Sequence, residues 1–241
     1  MASVIQDMNN YITGGFFVVP RTSRPADASD LLPQNILTVS NCLATIVPDT
    51  WAVDLGYPAD EDRADGAAKL SSAPAVIPDL VKWVTAEIGP DRPTAFRSLT
   101  TAREFHRRFI TQPGVIVIGI GLHRSLRASF DAQIGQDPTK GDGLLERVQQ
   151  NDPLPSGGSV RGYEPLGFCG GSFHTWLCNI SPDAVKSHFG IRPNENGLIS
   201  TLEEGTQVVD YLTETGAEPA IWEPWIVVEY PSLDSTRLEM N

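Results

Sequence analysis

The chain has only three cysteines in 241 residues. They cannot all pair, so a disulfide framework is not expected and the thiols are read as reduced. No CxxC occurs, and eight residues separate Cys169 from Cys178. That spacing is foreign to structural zinc, so no metal is expected. No apolar run approaches the roughly 20 residues of a membrane helix. Met1–Asp7 lacks the basic region and apolar core of a signal peptide. A cytoplasmic protein with no membrane partner is expected. Walker A, GxSxG and HExxH motifs are all missing. Gly119-Ile120-Gly121 lacks the third glycine of a dinucleotide fingerprint, so neither NAD nor any other cofactor is expected.

What is present suits a globular chain: 41% hydrophobic and 20% charged residues. One domain over residues 1–241 is expected, because neither loop-like stretch, 58–66 or 135–158, resembles a linker between independent domains. The formal net charge of −12 opposes general affinity for nucleic acid or acidic membranes and suits a cationic partner. The charge is uneven. Residues 92–127 hold seven arginines, no lysine and one acid, for a local +6 that leaves −18 on the remainder. Such a stretch is either a solvated helix face or a patch for phosphate or RNA, since arginine suits bidentate phosphate contact.

Periodicity and punctuation give a coarse outline. Helices are expected from Pro78 to Ile88, from a capping box at Thr101–Glu104 to Phe109, from Ser181-Pro182 to His188, and from a second capping box at Ser200–Glu203 to about Gly216. Strands are expected at Gly15–Val19, Ile36–Val47, Gly114–Leu122, Val160–Phe168 and Trp225–Tyr230. This interleaving predicts an α/β or α+β fold with a central mixed sheet and helices packed on it.

Pro165–Asn179 concentrates the chemistry. It contains Cys169, Cys178, His174, Ser172, Trp176 and three glycines within fifteen residues. A strand, a glycine turn and a helix start would present backbone N–H groups and a positive helix end to a ligand. Cys169 near the turn could then be held as thiolate. His174 and Cys178, four apart on a helix, could be base and nucleophile. The plainer account is packing: free cysteine is among the most buried residue types, Trp176 reads as core as readily as a substrate contact, and Cys42 sits within an alternating strand. Asp54 and Glu223 lie among apolar and aromatic residues, where a carboxylate could pair with a cation or simply be a satisfied structural acid.

Gly162–Gly167, Ser172–Asn179 with its His-Thr-Trp-Leu-Cys-Asn element, and Asn196–Ile199 together resemble the fungal arginine-containing cyclodipeptide synthases, over about a third of the chain. The resemblance implies a tRNA-dependent transferase of secondary metabolism. It would join arginine, from arginyl-tRNA, to a second amino acid from another aminoacyl-tRNA, and close a diketopiperazine. Cys178, Cys169 or Ser172 would carry the acyl group, His174 would move protons and Glu164 would assist. Asp54 and Glu223, with Trp176, would hold the substrate, and Arg103, Arg107 and Arg108 would meet tRNA phosphate. The net charge sits awkwardly with RNA. Two alternatives differ in class: an immunity or binding protein that neutralises a cationic toxin through an acidic face, and a Cys/His hydrolase or acyltransferase that does not use tRNA.

Overall fold

The computed structural model describes residues 7–48, 68, 70–88, 94–136 and 144–232. Apolar and β-branched runs build its frame: β1 (Tyr11–Pro20), β4 (Val115–His123), β5 (Ser159–Cys169), β6 (Ser172–Thr175) and β7 (Ile221–Tyr230). They form one sheet in the order β1-β4-β7-β5-β6. Every pairing in it is antiparallel. The fold is therefore α+β, and the expected mixed sheet is antiparallel. Two short strands, β2 (Thr22–Ser23) and β3 (Asn35–Ile36), pair separately.

Side-chain alternation splits the core into two layers. On one face Val117, Trp222, Ile226 and Val228 pack with α1 (Ile77–Trp83), α2 (Leu99–Phe109), α5 (Pro182–Phe189) and α6 (Leu202–Thr215). On the other, Ile118, Ile120, Trp225 and Val227 meet α3 (Arg127–Gln136), α4 (Leu145–Gln150) and the apolar residues of 37–46. Both faces of the sheet are covered, which explains why β4 and β7 are buried almost throughout.

Helix ends follow local chemistry with small shifts from expectation. Ser98, not Thr101, caps α2, because its side chain accepts from the Thr101 N–H. The second capping box is Thr201 with Glu204, one residue later than read. Gly190 and Gly216 end α5 and α6 in the left-handed conformation. The Pro78 helix is α1, which passes into a π-helical turn over Val84–Ile88.

Two expectations change. Residues 36–47 do not form a long strand. After β3 the chain turns at 40–44, where Asn41 Oδ1 and Ser40 Oγ accept backbone N–H groups; local side-chain bonding competes with the strand. The stretch 135–158 is not simply a surface loop, because it contains α4 and buries Leu144, Val148 and Leu154. The loop expected at 58–66 lies outside the described residues.

The glycine turn in the Cys/His segment leads to a hairpin, not a helix. Gly170 and Gly171 both have positive φ, 58° and 82°, as a two-residue hairpin of the I′ kind requires. Cys169 pairs with Ser172, and Gly167 with His174. Only a single 3-10 turn, Trp176–Cys178, follows β6. There is no helix N-terminus here to stabilise a thiolate at Cys169, and His174 and Cys178 do not share a helix face.

Candidate active site

β6 is an edge strand, and its alternation buries Phe173 and Thr175 while leaving Ser172 and His174 half-buried. His174 Nδ1 lies 2.7 Å from Glu218 Oε1. The same nitrogen is 3.8 Å from Cys42 Sγ. Nε2 has no partner among the described residues. Glu218 is held in place from two sides: its N–H donates to Asn179 Oδ1, and its carbonyl accepts from the Trp222 indole.

Cys178 joins the group through Cys42 rather than through His174. Partial desolvation, the adjacent Cys42 thiol and the Glu218 and Glu164 carboxylates push the Cys178 thiol up to about 12. It stays protonated near neutral pH and can donate to Cys42 sulfur. That is a poor setting for the nucleophile first read at Cys178. Cys42, first read as a packed strand residue, is exposed on a turn. The signal that could have found it is weak: Ser40-Asn41-Cys42 is a run of turn-forming residues with a thiol at its end.

Glu164 is not a proton shuttle open to substrate. It is 1% exposed. Its carboxyl bonds the Thr38 hydroxyl at 2.5 Å and accepts the Val39 N–H at 3.0 Å. Burial raises it to about 7, against the lowering effect of these bonds. It ties the 37–46 segment to β5. Trp176 is likewise fully buried and belongs to the core, so it is not a substrate contact. Ser172 and Cys169 sit side by side at the hairpin corner, one alternation away from His174. Asp54 lies outside the described residues.

Glu223 lies where the sheet is incomplete. β4 pairs with β7 only from Ile226 to Tyr230, so the Ile221–Trp225 end of β7 outruns it. α3 and α6 flank this end, and a depression of about 670 Å³ opens there. Its ionisable lining residues are Asp210, Glu214, Glu218 and Glu223, all acids. Glu223 is 2% exposed and accepts from Gln133 Nε2 at 2.9 Å. Burial raises its carboxyl to about 7, Ser129 and Gln133 oppose the rise, and Asp210 adds to it. Through Glu218 the depression reaches His174 and Cys42. A second depression of about 520 Å³ includes Cys178 together with Leu32, Leu43, Leu177, Ile180 and Pro182. The Cys42–His174 group therefore adjoins an acidic hollow through Glu218 and a more apolar one through Leu43 and Cys178.

The arginines lie elsewhere. Arg103 donates to the Pro231 carbonyl and sits 5.9 Å from the Tyr230 ring, at the opposite end of β7 from Glu223. Arg108 pairs with Glu104, while Arg107 is exposed. Arg124 and Arg127 are tied to Asn9, Asn151, Asp131 and Val148. The structure does not bring the three tRNA candidates to His174. Arg147, lowered to about 10 by burial and by the nearby Arg97, shares a third hollow of about 370 Å³ with Arg97 and the first turn of α2. Among the described residues no three His, Cys, Asp or Glu side chains converge as metal ligands, and no helix is long and apolar enough to cross a membrane.

Comparison with family models, with curated proteins and with solved structures finds no match for this chain.

Proposed function

We propose that this protein is a cytoplasmic, tRNA-dependent transferase that forms an arginine-containing cyclodipeptide. The observation that carries this reading is the depression beside β7, whose ionisable lining is wholly acidic and which connects through Glu218 to His174. Guanidinium is planar and permanently charged, and it pairs with carboxylates through two parallel N–H bonds. Glu223 on the buried side and Asp210 and Glu214 on α6 offer such partners. An aminoacyl ester of tRNA is already activated, so the chemistry needs positioning and proton transfer rather than a redox or metal centre. His174 supplies the proton carrier. The apolar depression beyond Cys178 provides room for the second amino acid.

The test is reconstitution with arginine, the other amino acids, total tRNA, aminoacyl-tRNA synthetases and ATP, read by mass spectrometry. A ribonuclease-sensitive arginine diketopiperazine is the expected product. Its absence, with charged tRNA and folded protein both verified, rejects the reading for those substrates.

A second reading draws on the distance between the arginine-bearing α2 and the acidic depression. A protein that neutralises a cationic partner needs the acidic face and no RNA contact. It requires submicromolar binding of a cationic protein, salt-sensitive and unaffected by loss of His174.

A further inference from the structure

Three residues far apart in the chain meet beside the acidic depression that Glu218 lines: Cys42 on the 40–44 turn, His174 on β6 and Glu218 just before β7. We propose that Cys42, exposed and 3.8 Å from His174 Nδ1, is the nucleophile that accepts an acyl group from an ester donor, with His174 and Glu218 as its proton-handling pair. In naming the donor as aminoacyl-tRNA, this assignment rests on the synthase reading.

The chemistry of the pair supports it. In its anionic form, carboxylate plus neutral imidazole, the His174–Glu218 pair has one open proton position. Cys42 sulfur attacks the ester carbonyl, so a C–S bond forms and the carbonyl–oxygen bond to the ribose breaks. The thiol proton enters the His174–Glu218 pair and passes to the departing ribose oxygen. A thioester and a free tRNA hydroxyl result, with no oxidant or metal consumed. The α-amine of the second amino acid then attacks the thioester carbonyl: a C–N bond forms, the C–S bond breaks, and the proton lost by the amine enters the pair and passes to the departing Cys42 sulfur. The arrangement follows the general pattern of a nucleophile beside a base that a third group orients. Here both contacts fall on one imidazole nitrogen, which leaves Nε2 without a partner among the described residues and open to the leaving oxygen.

Position adds a second argument. Cys42 adjoins two hollows, the acidic one through Glu218 and the more apolar one through its neighbours Leu43 and Cys178. An acyl carrier between two side-chain sites can receive one residue and present it to the other. Cys178 touches the same sulfur and keeps its own proton, so it serves as a hydrogen-bond donor to Cys42. Cys169, at the hairpin corner, has no such company and provides an internal comparison.

Two measurements on the full-length protein test this separately from the synthase reading. The first is alkylation by iodoacetamide at pH 7 with peptide mapping. Cys42 is expected to react about tenfold faster than Cys169 and Cys178, and His174→Gln or Glu218→Gln is expected to remove most of that advantage while circular dichroism stays unchanged. The second is intact mass after brief exposure to arginyl-tRNA, with a thioester adduct that hydroxylamine removes and that Cys42→Ala does not form. Equal reactivity of the three cysteines, or indifference of Cys42 to both substitutions, overturns the proposal. So does diketopiperazine production by Cys42→Ala at the wild-type rate, which leaves the synthase reading standing. Fast, His174-dependent labelling of Cys42 without any diketopiperazine upholds the nucleophile and rejects the synthase.

Discussion

Replacing Glu164 with glutamine should make the protein more stable at pH 8 and leave it nearly unchanged at pH 5. Glu164 is buried on β5 with its carboxyl raised from 4.5 to about 7, desolvation outweighing the bonds from Thr38 and Val39. In the folded state it therefore keeps a proton through a pH range in which the unfolded chain has released it. Stability from this group is fully present below the unfolded value and is lost as pH rises through the window from 4.5 to about 7. The rise corresponds to a loss of ~3 kcal/mol by pH 8. Glutamine has the same shape, accepts the Val39 N–H and donates to the Thr38 hydroxyl, but does not titrate. The neighbouring ionisable group on the site side is Cys178, whose thiol stays protonated across this range. Urea unfolding followed by tryptophan fluorescence at pH 5 and pH 8 gives the four free energies needed. The wild type should lose ~2.5 kcal/mol more than Glu164→Gln between the two pH values, and Glu223, common to both proteins, cancels. Parallel losses in the two proteins would refute the claim that burial keeps Glu164 protonated in the fold.

Other outcomes follow from individual positions. Glu223 is raised to about 7 beside Asp210, with Glu214 and Glu218 lining the same depression; it ionises as pH rises, so arginine methyl ester should bind more tightly at pH 8 than at pH 6. Calorimetry should show that rise flattened in Glu223→Gln, and pH-independent binding by the wild type would remove Glu223 from the site. Trp176→Ala should cost about 3–5 kcal/mol in chemical unfolding, because the ring is fully buried; a change in ligand affinity without loss of stability would contradict its place in the core. Gly162→Ala should lower stability by ~2 kcal/mol or more, since φ is 142° and a Cβ there would stand 2.7 Å from the Ile199 carbonyl oxygen. A melting temperature within a degree of wild type would show that the β5–Ile199 contact yields easily.

How far the amino-acid pattern reveals the molecule depends on how local each feature is. The apolar runs of β1, β4, β5 and β7 and the end signals of α5 and α6 are local, and each appears where its residues point. The pattern failed where two local signals compete. Residues 36–47 have the β-branched content of a strand, but Ser40 and Asn41 bond nearby backbone N–H groups and turn the chain instead. Gly170-Gly171 suits a helix approach and a hairpin equally well; the positive φ at both residues and the pairing of Phe168 with Phe173 select the hairpin. α3 escaped notice because no apolar stripe marks it: among the described residues, Phe130 and Ile134 are its buried apolar anchors. His174 was legible as a candidate within a dense segment. Its companions were not, because Cys42 is 132 positions away and Glu218 reaches it only through the sheet's folding.

The charge asymmetry takes on a definite shape in the fold. Glu223 stands near the start of β7, and Arg103 contacts Tyr230 and Pro231 at its end. Seven residue steps along the extended strand separate Glu223 from Tyr230, roughly 23 Å at 3.3 Å per residue. That is about three Debye lengths at physiological ionic strength, so the arginines of α2 neither neutralise the acidic depression nor gain from it. A small cation can use the depression alone, and a phosphate can meet α2 alone. A ligand that engages both must span the full length of β7, with a cationic group at one end and phosphates at the other. An aminoacyl-tRNA that carries arginine has this order of charges: a guanidinium at the tip and a phosphodiester chain behind it. Repulsion between the acidic rim and that chain then limits how deep the acceptor end can enter. In the proposed synthase, the depth at which the guanidinium reaches Asp210 and Glu223 while the first phosphates stay outside is what places the ester near Cys42 and His174.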